Sequence, residues 1–331
     1  MSTPTTTIVM VGPRGVGKTS LLAAMYNELE KELLNCECNL FQDAGPTQTA
    51  ILGQLDELKA LANGPGLKIQ TGEGIVGTAQ ERRYTFHLDV GAGGGPDATL
   101  EFVDLPGGWY TGTGNYGIPK QVLSESHVSF LAVDATALME SPSTSGGFGK
   151  YHERINAPGA ICQAYKRATF PDGHVVILAL IRAETYVKAG QVDALQRKTQ
   201  EAYAEMAKIL KLKGITIRAC YVQTVGCLYF NAFTERDGMV ESHFRRDPTV
   251  GYAPSRCAIP LRIAAERALK MAMDDALCKM MAEDKWWARI LLWLGRETAL
   301  GKARQKYAKV YSAFKSIAEK INKDDYTEIR P

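Results

Sequence analysis

The sequence contains no C-x-x-C pair, and its seven cysteines are odd in number and scattered along the chain. A disulfide framework and a zinc site are therefore not expected. The longest apolar run, Trp286 to Leu294, is interrupted by Arg289 and is too short to cross a bilayer. No basic stretch followed by an apolar one precedes the first predicted strand, so we expect no signal peptide and a cytoplasmic protein.

Neither sign of charge dominates the chain as a whole, whose formal net charge is +3 over 331 residues. Its 45% hydrophobic and 23% charged residues are those of an ordinary globular protein. Residues 285–331, however, carry eleven Lys or Arg against five Asp or Glu, which leaves 28 against 31 for residues 1–284. No base-stacking sheet or known nucleic-acid-binding fold accompanies this basic segment, so nucleic acid is not favoured as a partner.

A glycine-rich segment lies between an apolar, β-branched run at 7–11 and a helix-like run at 20–25. Residues 12–19 read Gly-Pro-Arg-Gly-Val-Gly-Lys-Thr, which is the G-x-x-x-x-G-K-T phosphate loop in its strand, loop and helix context. The glycines let several backbone N–H groups converge on one phosphate, and the helix start adds its positive end. Lys18 would bridge the outer phosphates, while the Thr19 hydroxyl would hold Mg²⁺. The predicted phosphate-binding residues are Gly12, Pro13, Gly15, Val16, Gly17, Lys18, Thr19 and Ser20.

A hairpin is predicted after the first helix, because Tyr84–Val90 and Thr99–Asp104 are strand-like and a glycine-rich turn joins them. The second strand ends in Asp104-Leu105-Pro106-Gly107. Loop, hairpin and Asp-x-x-Gly together resemble small Ras-like and translation-factor-type GTPases, which are P-loop GTPases of the TRAFAC type. The resemblance implies that Asp104 orders a magnesium-bound water and that the Gly107 N–H bonds the terminal phosphate.

The same families place a threonine just before the hairpin, where its hydroxyl completes the magnesium shell. Thr78 lies at about that distance and is our first choice, with Thr71 second. A solvated loop hydroxyl is the alternative, because loops are rich in threonine. The expected magnesium site therefore consists of Thr19, Thr78 and, through a water, Asp104.

Recognition of the base is predicted at the ends of two later strands. The GTPase families carry Asn-Lys-x-Asp where this chain has Ile-Arg-Ala-Glu at 181–184. Glu184 could accept two hydrogen bonds from guanine and Arg182 could stack on it, whereas a surface ion pair between them is the alternative. Thr224 and Val225 lie in a segment that resembles the loop contacting the guanine oxygen. We expect GTP, with ATP left open because the Asn is missing.

Hydrolysis requires a positioned water and neutralisation of developing charge. Ras-like enzymes place a Gln after Asp-x-x-Gly, but this chain has Gly108, so we expect slow turnover. Arg14 lies inside the phosphate loop and could act on the β and γ phosphates; its alternative role is a solvent-facing arginine. The predicted catalytic residues are Lys18, Asp104, Gly107, Arg14 and Thr78.

The G-P-R-G-x-G-K-T loop also resembles that of bacterial double-GTPases of conflict and signalling systems. The resemblance implies a magnesium-dependent nucleotide switch in bacterial signalling or defence, acting on a protein effector that the sequence does not identify. One alternative is a STAND-like ATPase, in which similar loops occur. The other is a nucleotide-bound scaffold that never hydrolyses, which Gly108 suggests.

Strands and helices alternate through the rest of the chain, and the strands are nearly continuously apolar. This pattern predicts an α/β fold with a mainly parallel sheet, one antiparallel hairpin strand and helices on both faces. Strands are predicted at 128–134, 174–181 and 215–222, and helical stretches near 152–169, 191–212 and 260–284. We expect one domain over 1–284 with insertions near 35–76, 138–150 and 229–256.

Residues 285–331 are predicted to form a basic amphipathic helical extension. Apolar residues recur at steps of three and four from Ala303 to Ile321, with lysines and arginines among them. Such a helix could lie on an anionic membrane surface or on a partner through 285–321, which would make the protein peripheral to the membrane. The interpretation we favour is that it docks on its own domain with solvated lysines, because surface helices usually have this pattern.

Overall fold

The computed structural model describes residues 3–330 except 34–37, 43–44, 65, 71–80, 92–94, 108–116, 141–149, 237–238, 284–298 and 321–325. Its strands are β1 Thr5–Val11, β2 Asn39–Phe41, β3 Gly66–Gln70, β4 Arg82–Asp89, β5 Ala98–Asp104, β6 Val128–Asp134, β7 Val175–Ile181, β8 Ile217–Tyr221, β9 Leu228–Arg236, β10 Met239–Arg246 and β11 Thr327–Ile329. Its helices are α1 Lys18–Leu33, α2 Pro46–Asn63, α3 Gly117–Glu125, α4 Ala135–Met139, α5 Lys150–Asn156, α6 Pro158–Arg167, α7 Glu184–Lys188, α8 Val192–Lys211, α9 Ala258–Glu283 and α10 Ala299–Lys320.

The central sheet has eight strands in the order β11-β8-β7-β6-β1-β5-β4-β2. The pairs β8–β7, β7–β6, β6–β1 and β1–β5 are parallel, whereas β5–β4, β4–β2 and β11–β8 are antiparallel. The predicted α/β class and the antiparallel hairpin are thus confirmed. All the parallel strands end at one edge, which is where open α/β sheets bind ligands.

Apolar side chains on both faces of the sheet are covered by helices. Alternate residues of β1 enter different cores: Ile8 and Met10 belong to the cluster that includes α1 and α9, while Val9 and Val11 belong to the cluster that includes α3, α6 and α8. All four are buried. A strand buried on both faces has to be apolar throughout, which explains the run that preceded the glycine loop in the sequence.

The stretch near 152–169, expected to be helical, consists of two helices rather than one. They are separated at Ala157, which has a φ of 45° and is followed by Pro158. Proline disfavours the helical conformation of the residue before it and begins the next helix well, because its missing N–H would lack an intrahelical partner there.

A second sheet, which the sequence did not predict, has the order β3-β10-β9 and is antiparallel. Its strands come from the predicted insertions near 35–76 and 229–256, which therefore meet in space. The pairing of β10 with β9 contains a bulge between His243 and Phe244. We call β3, β9 and β10 the second sheet below.

The C-terminal segment contributes to the main core. Val310, Ala313 and Ile317 on α10 are buried in the cluster that also holds α9, and β11 pairs with β8 at the edge of the central sheet. At these three positions α10 is therefore covered by its own chain, while the domain boundary at 284 stays a prediction. Among the helices of the described ranges, none has the length and apolar character needed to cross a bilayer.

Candidate phosphate-binding site

The glycine-rich segment connects the end of β1 at Val11 to the start of α1 at Lys18, so the predicted strand, loop and helix are all present. Parallel pairing brings the end of β5 beside the end of β1, with Asp104 opposite Met10. On the other side, Asp134 ends β6 opposite Ile181 of β7. Two carboxylates from separate strands therefore flank the segment at the carboxyl edge of the sheet.

Three glycines of the loop, Gly12, Gly15 and Gly17, have a positive φ that residues with side chains rarely adopt. Gly12 has a φ of 147°, and a Cβ there would lie 3.0 Å from Val16 Cγ1 and 3.1 Å from the Ala132 carbonyl. Gly17 has a φ of 106°, and its Cβ would lie 3.0 Å from Ile181 Cδ1. The loop thus turns tightly against the ends of β6 and β7, which only glycine permits at these two positions.

Lys18 holds its ammonium over the loop. The Nζ donates to the carbonyl of Gly12 at 2.9 Å and to that of Pro13 at 3.3 Å. Burial lowers the pKa of Lys18, and the charge of Asp104 opposes that shift. An anion placed beside this ammonium would favour the charged form further, so a phosphate is a suitable neighbour for it.

Thr19 and Asp104 are in direct contact. The Thr19 hydroxyl donates to Asp104 Oδ2 at 2.9 Å, and Asp104 is buried. A hydroxyl and a carboxylate are hard oxygen donors of the kind Mg²⁺ takes, usually with waters and phosphate oxygens completing its shell. Within the described residues no cluster of three His, Cys, Asp or Glu exists, so any metal here would need such additional ligands. The donor set therefore fits magnesium bound together with a phosphate.

Gly107 packs on the phosphate loop itself. A Cβ at Gly107 would lie 2.0 Å from the Arg14 nitrogen and 2.3 Å from the Pro13 carbonyl carbon. The Arg14 side chain, in contrast, is exposed. The Asp-x-x-Gly segment and the loop are thus in backbone contact, an arrangement that any side chain at Gly107 would push apart. Of the remaining loop residues, Val16 is buried, and Ser20 is half-buried in the first turn of α1.

Arg182 lies against the loop. Its backbone is left-handed, with a φ of 59°. The guanidinium forms an ion pair with Asp134 and donates from Nη2 to the Gly15 carbonyl at 2.9 Å. Its Cζ lies 5.5 Å from the centre of the Phe244 ring. The ion pair that the sequence suggested with Glu184 is thus made with Asp134, because Asp134 ends the neighbouring strand, and stacking on a base stays a prediction.

Glu184 holds the turn after β8. Its Oε1 accepts from the N–H groups of Val225 and Gly226, each at 3.3 Å. The residue is 3% exposed, and burial raises the pKa of its carboxyl, while the two N–H groups oppose that shift. Thr224 is buried in the same turn. The base-binding roles of these residues stay predictions, and the structure adds a positioning role for Glu184.

Asp134 is a site residue that the sequence analysis missed. Its Oδ1 accepts from the N–H groups of Thr136 and Ala137 at 2.8 and 3.1 Å and so caps α4. The Asn156 side chain accepts from the Asp134 N–H at 2.8 Å and donates to the Asp134 carbonyl at 3.1 Å. Its position in the sequence could have identified it, because Asp134 ends β6 in the same way that Asp104 ends β5.

Thr78, its alternative Thr71, and Gly108 lie outside the described residues. The third predicted magnesium ligand and the position of the missing water-orienting glutamine therefore stay predictions. The site described by the structure consists of the loop, Asp104 with Gly107, Asp134 with Arg182, and Glu184 with its turn.

No protein-family model matches the chain, and no curated protein sequence matches it significantly. Two solved structures of the S. cerevisiae Ski7 GTPase-like domain, one bound to GDP and inorganic phosphate and one bound to GTP, match its fold. Each has 14% sequence identity and a TM-score of 0.37, over 66% of this chain and 43% of the Ski7 chain. The matched part is thus less than half of the Ski7 chain, and a likeness of this degree assigns no ligand to the present one.

Proposed function

We propose that this chain binds a nucleoside triphosphate with Mg²⁺. The observation that carries the proposal is the meeting of Lys18, Thr19 and Asp104 at one edge of the sheet, on a loop whose glycines keep its backbone open. Lys18 and the loop N–H groups would hold the phosphates, and Thr19 with Asp104 would hold the metal, directly and through a water. The bound metal would neutralise phosphate charge. Titration calorimetry with GTP and ATP in magnesium tests this proposal.

The preferred nucleotide under this proposal is GTP. Support comes from the position of Glu184 and the turn at 223–226, which follow the ends of adjacent strands β7 and β8. The carboxyl already accepts from that turn through Oε1, so a guanine would have to engage it from another direction. Competition between GTP and ATP for a fluorescent analogue tests the preference. Glu184→Gln should reduce the preference for GTP. Equal displacement of the analogue by GTP and by ATP in the native protein would show that the site does not select between them.

The proposed reaction is slow hydrolysis of the β–γ bond, with the nucleotide state changing the segment around Gly107. Gly107 contacts the loop backbone, so a terminal phosphate bound at the loop would directly affect the position of Gly107. Arg14 is exposed next to this contact and is the proposed source of a second positive charge. Arg14→Ala should lower single-turnover release of phosphate, whereas unchanged turnover with unchanged affinity would remove this role.

Two alternatives remain within the nucleotide-binding proposal. A non-hydrolysing scaffold would release no phosphate above an Asp104→Ala control. A STAND-like ATPase would carry an acidic pair after the strand that Asp104 ends, but Leu105 and Pro106 follow it here. The kinship with bacterial double-GTPases and the protein effector likewise stay predictions.

Membrane binding through 285–321 is a separate proposal, and the structure favours the alternative of docking on the chain's own domain. The buried residues of α10 face α9, and Lys306 pairs with Asp97 at 3.1 Å. Sedimentation with anionic vesicles, using the full chain, decides between them. Equal recovery in the supernatant with and without vesicles would rule membrane binding out.

A further inference from the structure

Arg182 lies between the phosphate loop and the second sheet and contacts both. The guanidinium of Arg182 contacts the Gly15 carbonyl, the Asp134 carboxylate and the ring of Phe244 on β10. A left-handed backbone is unfavourable for a residue with a side chain, and it persists only where the surrounding contacts hold it. These three contacts, from three different segments of the chain, hold Arg182 in this conformation.

Phe244 is held in place by the residues around it. The pairing shifts immediately before it, because Asn231 of β9 is skipped, and Phe244 pairs directly with Phe230. Its ring is 6% exposed and meets Phe230 of β9 edge to face at 5.9 Å. A displacement of Arg182 would therefore disturb a packed aromatic pair at the centre of the second sheet.

A second route connects Asp134 to the same sheet. The Asp134 carboxylate caps α4, and Asn156 of α5 bonds its backbone. Ala137 of α4 and Ile155 of α5 form a small buried cluster with Val240 of β10. The two helices that Asp134 contacts thus supply one of the apolar patches on which β10 packs.

A bound phosphate would act on the hydrogen bond between Arg182 and the Gly15 carbonyl. The peptide group that carries the Gly15 carbonyl also carries the Val16 N–H, one of the donors a phosphate loop offers. Hydrogen bonds at the two ends of one peptide group strengthen each other. An anion accepting from Val16 would therefore strengthen the bond from Arg182 to Gly15.

We infer that the second sheet reports the occupancy of the phosphate loop, and that Arg182 and Phe244 transmit the change. This inference rests on the proposed nucleotide binding. Occupancy of the loop fixes Arg182, Arg182 fixes Phe244, and β10 opens less often. The second sheet is then the surface whose stability differs between the two states, and Arg182 is a positioning residue.

Hydrogen exchange of the β10 amides, 239–246, tests the inference in the full chain with GTP and magnesium. Slowing of about fivefold or more is expected in the native protein, the lower end of ordinary coupling between sites. Phe244→Leu should abolish this slowing while GTP affinity, measured by calorimetry, changes by less than about threefold. Phe170→Leu is the matched control, because Phe170 lies between α6 and β7, where its ring contacts Tyr165 at 5.8 Å and His174 at 4.4 Å. It should retain the slowing.

The outcomes separate this inference from the proposed function. If calorimetry shows that GTP binds but β10 exchanges at the same rate with and without it, the inference is overturned and the proposed function stands. Equal slowing in Phe244→Leu and the native protein would also overturn it, because that result indicates a general stabilisation by ligand. If no triphosphate binds the native protein, both fall together.

Discussion

The Thr19 hydroxyl donates to Asp104 Oδ2 at 2.9 Å, although the two residues are 85 positions apart in the chain. Parallel pairing of β1 with β5 brings them together, since Asp104 ends β5 and Thr19 lies in the first turn of the helix that follows β1. This contact joins the phosphate loop to the Asp-x-x-Gly segment. It is the geometric basis for placing a magnesium ion at this edge of the sheet.

Removal of the Asp104 carboxylate should abolish the effect of magnesium on nucleotide binding. Asp104→Asn keeps the shape of the side chain but loses its charge, and loss of an outer metal partner weakens metal affinity by about 10- to 100-fold. The measurement is GTP affinity in Mg²⁺ and in EDTA. Thr19→Ala should behave in the same way, while Thr49→Ala, at an exposed position of α2, is the matched control. A magnesium effect that survives in Asp104→Asn would contradict the assignment.

A methyl group at Gly107 should weaken binding of a triphosphate. Its Cβ would lie 2.0 Å from the Arg14 nitrogen, so either the loop or the Asp-x-x-Gly segment has to move. Overpacking costs roughly 1–3 kcal/mol, which corresponds to about a 5- to 150-fold loss in GTP affinity. Gly159→Ala is the control, because a Cβ there meets nothing within 4 Å. Equal affinities of the two variants for GTP would show that Gly107 does not contact the loop as described.

Two buried histidines should make the protein sensitive to mild acid. Burial lowers the pKa of His152 and of His174 to about 4, well under the ordinary value of 6.5. Each is neutral in the folded state, so stability is full above pH 6.5 and falls as the pH drops toward 4. At pH 5 the loss is roughly 2 kcal/mol for each histidine.

Denaturant unfolding at pH 7.5 and pH 5 measures this loss, with His174→Gln as the test variant. The His174 Nδ1 faces the Ser126 carbonyl at 2.8 Å and therefore carries a proton, which leaves Nε2 to accept from the Ser129 hydroxyl at 3.0 Å. Replacement should reduce the difference between the two pH values by roughly 2 kcal/mol, whatever it does to stability at pH 7.5. An undiminished difference would show that His174 is not responsible.

Truncation of a buried residue of α10 should destabilise the whole domain. Ile317 is 1% exposed in the core shared with α9. Ile317→Ala should cost about 2–5 kcal/mol in the free energy of unfolding. Lys315→Ala, on the same helix but exposed, should cost less than about 0.5 kcal/mol. Similar unfolding midpoints for the two variants would mean that α10 is not docked on the domain.

Much of this fold follows from local sequence signals. The apolar run of β1, the glycine-rich loop and the start of α1 are contiguous, so one pattern predicts all three. The hairpin of β4 and β5 is likewise a local feature. The second sheet is different, because β3 and β10 are distant in the chain, and periodicity carries no information on which distant strands pair.

The site shows the same division between local and distant information. The loop residues and Asp104 could be named from motifs, whereas the contacts of Arg182 depend on Asp134, 48 residues earlier. The pattern of α10 could not be resolved either. An amphipathic helix presents the same apolar stripe to its own domain, to a partner or to a membrane, and only packing decides.

The most direct test of nucleotide binding is titration calorimetry of the native protein and of Lys18→Ala with GTP in magnesium. Lys18 donates to two carbonyls of the loop, so circular dichroism should first confirm that the variant is folded. We expect heat consistent with one site in the native protein and a large loss of affinity in the variant. No heat from the native protein with GTP or ATP, or equal affinity in a folded Lys18→Ala, would contradict the account.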